Sequence, residues 1–120
     1  FIIAEKVTVD DTGDTPAVFQ EILKYYDEHV ATIHSIESVA ERFFISPATL
    51  NRYFKKYLHL SPKEFLEAKK LSIAKILLTQ GSSVNDASEE AGFFDSSHFI
   101  SAFKKKFGIT PLQYKRSISK

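Results

Sequence analysis

The sequence predicts an all-α protein made of two helix-turn-helix subdomains joined by a long central helix. Three observations predict it. Helix-starting residues recur along the chain, each followed by apolar residues at helical spacing. The chain repeats itself, and each copy reads as a short helix, a turn of a few residues and a second short helix. A continuous helical stretch of about 18 residues lies between the two copies.

The elements follow in order. Residues 1–14 begin apolar, from Phe1 to Val9, then turn polar at Asp10-Asp11-Thr12-Gly13-Asp14. They read as a short strand or a loose end. Thr15-Pro16 suits a helix start, with Thr as N-cap and Pro at the first helical position. Phe19, Ile22, Leu23, Tyr26 and Val30 then form one apolar stripe, which predicts a helix to about residue 30. Ser35 precedes a helix from about Ile36 to Phe43, and Ser46-Pro47 opens another to about Tyr57. Ser61-Pro62 opens the central helix, with Glu64 completing a capping box and Gly81 suited to end it after Thr79. Ser83 precedes Val84 to Ala91, stopped by Gly92. Asp95 precedes Ser96 to Phe107, stopped by Gly108. Thr110-Pro111, with Gln113, opens a last helix through a second capping box. The expected divisions are an N-terminal segment 1–15, a first subdomain 16–61, a linker helix 62–80 and a second subdomain 81–120.

The repeat is strongest from Phe54 to Pro62, which matches Phe103 to Pro111 at an offset of 49. Leu50 then falls on Phe99, Phe65 on Tyr114 and Phe44 on Phe93. Upstream the offset becomes 48, pairing Ile36 with Val84, so the second copy holds one extra residue in its turn. In a helix-turn-helix unit the second helix lies in the DNA major groove. Both second helices suit that use. In the first, Leu50, Tyr53, Phe54 and Tyr57 make a buried stripe and leave Pro47, Ala48, Asn51, Arg52 and Lys55 outside. In the second, Phe99, Ala102, Phe103 and Phe107 are inward, with Ser96, Ser97, Ile100, Ser101 and Lys104 outside. Small residues at an exposed helix start permit close approach to base edges, and lysines farther along can reach phosphates. The central helix should span about 27 Å. Successive major-groove faces lie about 34 Å apart, so such a rod could hold two reading helices one turn apart. Its apolar positions Phe65, Leu66, Leu71, Ala74, Ile76, Leu77 and Leu78 spread round the helix, as packing by both units requires.

Composition narrows the chemistry. There is no Cys, which excludes disulfide frameworks, Cys-based zinc sites and cysteine nucleophiles. The four histidines (His29, His34, His59, His98) show no i, i+4 pair of the zinc-helix kind. No Gly-rich phosphate loop and no G-x-S-x-G elbow is present, so neither a cofactor nor a catalytic constellation is expected. No apolar run approaches the ~18 residues of a membrane span, and no signal peptide is visible, which favours a cytoplasmic protein. The absence of Met, in a chain beginning at Phe1, suggests a fragment of something larger.

The net charge of +1 hides an asymmetry. Residues 1–45 carry three bases against nine acids, a net −6; residues 46–120 carry 13 bases against six acids, a net +7. The basic part could face an anionic partner or form a solvated lysine-rich surface.

These residues resemble the AraC/XylS family of transcription regulators. The second unit resembles it through Ala91-Gly92-Phe93, Asp95, Ser97, Phe99, Phe103-Lys104-Lys105, Phe107-Gly108, Thr110-Pro111 and Tyr114. The first does so through Val39-Ala40-Glu41, Ser46, Leu50, Arg52, Phe54-Lys55-Lys56, Ser61-Pro62 and Phe65. The resemblance covers about residues 16 to 117 and implies sequence-specific binding of double-stranded DNA. By position, it implies base reading by Ala48, Asn51 and Arg52 in the first unit and by Ser96, Ser97 and Ser101 in the second. Phosphate contacts would come from Lys55, Lys56, Lys104 and Lys105. By its place near the second helix's start, His98 either touches a phosphate or packs half-buried. Partners implied beyond DNA are RNA polymerase and an N-terminal sensor or dimerisation domain. Three positions depart from the family pattern. Phe44 stands in a turn where Gly is frequent, which implies a looser or a strained turn. Ser88 stands where Ala is common. Ser101 stands where Arg or another long polar residue is frequent, which puts the second unit's base reading in doubt and points it toward phosphate binding.

Plainer readings stand beside these. Arg52 could read guanine bidentately or pair with an acid such as Glu41. Asn51 could read adenine or only solvate its helix. Ser96 and Ser97 could contact DNA or only cap, and Asp95 reads as an N-cap. A protein-interaction module is the rival class. An enzyme domain finds no support in the residues.

Overall fold

A computed structural model describes residues 16–118. Among them are seven helices: α1 (Ala17–His29), α2 (Ile36–Arg42), α3 (Pro47–Leu58), α4 (Pro62–Thr79), α5 (Val84–Glu90), α6 (Ser96–Phe107) and α7 (Pro111–Ile118). No strand occurs among the described residues. The all-α expectation therefore holds, with internal helix limits within about one residue of the expected ones. The expectations for residues 1–14 and for Thr15 as a cap fall outside the described residues.

The limits are sharp because the caps are local hydrogen bonds. Ser35 Oγ accepts from Ser38 N at 3.1 Å, Ser46 Oγ from Thr49 N at 3.1 Å and Ser83 Oγ from Asp86 N at 3.0 Å. Asp95 Oδ1 accepts from Ser97 N at 2.9 Å. Thr110 and Gln113 form the reciprocal box: Gln113 N donates to Thr110 Oγ1 at 3.1 Å, and Thr110 N donates to Gln113 Oε1 at 2.9 Å. Each bond satisfies a backbone donor that helical geometry leaves unpaired.

The described chain forms two compact units. In the first, residues up to His29 pack with Ile33–Lys63. Its core contains Phe19, Ile22, Tyr26, Val39, Ala40, Leu50 and Phe54, all buried. The Phe19 and Phe54 rings meet edge to face at 5.1 Å, and the tilted Tyr26 ring lies 5.2 Å from Phe54. Tyr53 and Tyr57, expected inside, are half-buried at the margin, with their rings 5.8 and 5.5 Å from Phe19. Tyr26 Oη donates to Pro62 O at 3.4 Å. Burial disfavours the charged phenolate and pushes this group well above its ordinary pKa.

The second unit combines Val30–Thr32 with the chain from Glu64 onward. Its core joins Leu71, Ala74 and Leu78 of α4 to Ala87, Ala91, Phe93, Phe99 and Phe103, flanked by Ile73, Leu77, Val84, Ala102, Phe107 and Tyr114. Ile76 is a correction to the sequence reading, being 56% exposed. At 100° per residue it lies nearly opposite Ala74 and Leu78, away from the stripe that packs. Ser88, the small departure from the family pattern, is buried.

Candidate nucleic-acid interface

The two helix-turn-helix hairpins are α2–α3 and α5–α6, and each second helix is oriented by its own buried apolar side chains. In α3, Leu50 and Phe54 are fully buried. In α6, Phe99 and Phe103 are fully buried and their rings meet at 5.8 Å. Rotation by 100° per residue then fixes what faces outward. Pro47, Ala48, Asn51, Arg52, Lys55 and Lys56 are exposed on α3, and Ser96, Ser97, Ile100, Ser101, Lys104 and Lys105 on α6. Ala48, Asn51, Arg52 and Lys55 follow an i, i+3, i+4, i+7 row. Ser97, Ile100, Ser101 and Lys104 follow the same row 49 residues later. Each sequence-proposed base reader and lysine thus sits on the exposed side of its helix.

The Arg52 guanidinium carbon lies 5.8 Å from the Tyr53 ring centroid, and Lys56 Nζ lies 5.4 Å from that of Tyr57. Basic residues concentrate in the last turns of both helices: Lys55 and Lys56 in α3, Lys104 to Lys106 in α6. That placement suits the negative end of each helix dipole. Asp95 is engaged as the N-cap of α6, as its position suggested.

His98 has a partner that sequence reasoning missed. Its Nε2 lies 2.7 Å from Glu67 Oε1 on α4. A phosphate contact from this ring would use Nδ1 or break that bond. Lys70 was also missed. It is only 9% exposed, and its Nζ donates to Gly92 O at 3.0 Å in the turn before α6. The ammonium lies 5.9 and 5.6 Å from the ring centroids of Phe93 and Phe94. Desolvation pushes its pKa down, while the neighbouring Glu67 carboxylate opposes that shift. Glu67 and Lys70 together tie α4 to the turn and to the start of α6. A sequence signal exists for Lys70: it interrupts the i, i+4 row Leu66, Ala74, Leu78 that is otherwise buried and apolar.

The turns correct one part of the repeat alignment. Ile45 N donates to Ala40 O at 3.1 Å and Phe93 N to Ser88 O at 3.0 Å, the same six-residue closure at an offset of 48. Phe44, at φ 57°, therefore corresponds to Gly92, at φ 96°, and not to Phe93. Ser46 and Asp95 both cap, so the extra residue of the second turn is Phe94. Its side chain is 73% exposed. A Cβ on Gly92 would sit 2.7 Å from Ala31 Cα, so a close backbone approach requires glycine there.

Among the described residues, no group of three His, Asp or Glu side chains could hold a metal, and no helix is long and apolar enough to cross a membrane.

Comparison with known proteins agrees with this geometry. A family model described as a helix-turn-helix domain matches residues 39–117. The transcriptional activator RhaS of Escherichia fergusonii is 32% identical over 104 residues, covering 86% of this chain and 37% of that protein. The uncharacterized HTH-type transcriptional regulator YijO of Escherichia coli is 36% identical over 109 residues, covering 90% of this chain and 38% of that one. The chain thus spans little more than a third of the length of these relatives. Among solved structures, the C-terminal domain of AraT, a response regulator from Geobacillus stearothermophilus, is 28% identical with a TM-score of 0.80, covering 88% of each chain. The relatives are named as regulators of transcription rather than as enzymes. With two helix-turn-helix hairpins and a family match across both, the chain belongs to the AraC/XylS family of transcription regulators, in its DNA-binding part.

Proposed function

We propose that this chain binds double-stranded DNA sequence-specifically, with α3 and α6 each entering a major groove, as part of a cytoplasmic transcription regulator. The observation that carries this reading is the duplicated outward row, 48/51/52/55 and 97/100/101/104, on helices whose inward rows are locked by the buried Leu50, Phe54, Phe99 and Phe103. A surface that serves only solubility has no reason to repeat in register. Ala48, Asn51 and Arg52 read bases from α3, while Ser96, Ser97 and Ser101 face bases from α6. Lys55, Lys56, Lys104 and Lys105 neutralise phosphates, and His98 joins them through Nδ1 or by releasing Glu67. The two grooves are successive ones on one side of the duplex, a span suited to the 18 residues of α4, about 27 Å. RNA polymerase is a further partner in this reading, by analogy with the relatives named as activators.

The test is equilibrium binding to a selected duplex and to a scrambled one. Arg52→Ala should cost about 1–3 kcal/mol on the selected site and relax preference at one base pair. Lys55→Ala should weaken both duplexes alike and reduce the salt slope by about one. An Arg52→Ala protein that binds its selected site as tightly as the parent chain would remove α3 from the reading.

A further inference from the structure

The second recognition helix lacks a long polar reader, yet its outward row is not featureless. Ile100 lies on that row, 39% exposed, between the exposed Ser97 and Ser101. It is the exposed large apolar residue of α6. The core contacts of the helix are supplied by Phe99 and Phe103. At the offset of 49 that aligns α3 with α6, Ile100 falls on Asn51, in the middle of the first unit's reading row.

We propose that Ile100 is a specificity-determining residue of the second unit, and that it recognises the C5-methyl group of thymine. The inference rests on the DNA-binding reading above and deepens it. The major-groove edge of thymine differs from the other three bases by carrying a methyl group, the one apolar feature in an otherwise polar code. Apolar side chains read that group, whereas serine hydroxyls donate and accept and so fit several bases. A row of Ser97, Ile100 and Ser101 is low in relief. It lets the helix approach closely enough for an isoleucine to touch a methyl, where an arginine at 101 would hold it off. The Lys104 and Lys105 ammoniums one turn later supply the phosphate anchorage that such a short-reach contact needs. Asn51 can form two hydrogen bonds with adenine, so the two units share a register and differ in the chemistry they read.

The test uses the duplex that this chain selects from a randomised library. Thymines are replaced by uracil one block at a time, a change that removes only the methyl group. Uracil in the block covered by the second unit should weaken binding about fourfold per contacted methyl, the weight of one such group leaving water. The same replacement in the other block, where Asn51 and Arg52 read polar edges and Ala48 offers a single methyl group, should weaken binding less than it does in the second. Ile100→Ala should bind thymine and uracil duplexes alike, and Ile100→Val should keep most of the preference. 5-Methylcytosine opposite Ile100 should recover part of what a cytosine substitution loses. A second block without thymine, or indifference to uracil there with the rest of the site still selected, overturns the proposal and leaves the DNA-binding reading intact. Absence of any selected duplex defeats both.

Discussion

The two units share one plan and solve its tight corners differently. Where the helix-turn-helix needs a left-handed residue, the first unit uses Phe44 at φ 57° and the second Gly92 at φ 96°. Where the recognition helix ends, the first unit uses His59 at φ 60° and the second Gly108 at φ 88°. A left-handed conformation costs an L-residue about 1–2 kcal/mol, and glycine escapes that cost. The first unit therefore carries strain at two points that the second lacks. The second unit uses its glycine for a further purpose, because Gly92 lets the turn approach Ala31 and presents its carbonyl to Lys70. The first unit relies on an aromatic cluster, Phe19–Phe54–Tyr26, and the second adds a buried ammonium and a histidine–carboxylate pair. One plan thus tolerates either strain offset by packing or glycine held by polar braces.

The largest effect expected from breaking this contrast is at Gly92. Gly92→Ala meets both a positive φ and a Cβ 2.7 Å from Ala31 Cα, and backbone can yield little there. It should destabilise the second unit by about 3 kcal/mol. Hydrogen exchange should show faster amides in α5–α7 than in the parent chain, while α1–α3 change less. Equal protection in α5–α7 would mean that the close approach is not needed.

Alkaline pH should separate the units next. The Tyr26 phenol is raised in the folded chain, so between pH 10 and its folded value the unfolded state loses a proton that the native state keeps. Stability of the first unit is therefore full below about pH 10 and falls above it, by up to about 1.4 kcal/mol per pH unit. Lys70 acts in the opposite sense. Its folded pKa is depressed, so the unfolded state binds more proton in the window below about 10.4, and stability of the second unit rises with pH across that window. Tyr26→Phe should flatten the alkaline slope in α1–α3 exchange. A slope that survives this substitution would assign it to another group.

The smallest effect is a gain. Phe44 is 94% exposed, so its removal sacrifices almost no burial. Phe44→Gly should relieve the left-handed strain, less the entropy that glycine gains when unfolded, and stabilise the first unit by about 0.5–1 kcal/mol. Calorimetry should show its melting rise by a few degrees. A lower melting temperature would show that the ring makes a contact that offsets the strain.

Much of this architecture was legible in the chain because its signals are local. Ser46-Pro47, Asp95 and Thr110-x-x-Gln113 specify helix starts through bonds spanning two or three residues, and each such bond is present. The outward rows were legible for the same reason, since helical periodicity decides them once Leu50, Phe54, Phe99 and Phe103 are known to be inside. What escaped depends on partners far apart in sequence. Lys70 reaches a carbonyl 22 residues away, and His98 meets a carboxylate 31 residues away. Ile76 escaped because an apolar residue on a mixed helix looks equally suited to either side until the packing face is fixed. The Phe44–Phe93 pairing failed because a one-residue insertion in a turn can be slid past neighbouring phenylalanines. The hydrogen bonds from Ile45 and Phe93 put it at Phe94.

The central claim is that two matched helices read DNA. Selection of this chain on a randomised duplex library at about 0.15 M salt, where phosphate attraction alone is weakened, tests it most directly. The account predicts an enriched site of two short blocks about 10 base pairs apart, the second containing thymine. A library that emerges unenriched, from a chain whose helices are shown to be folded, would contradict it.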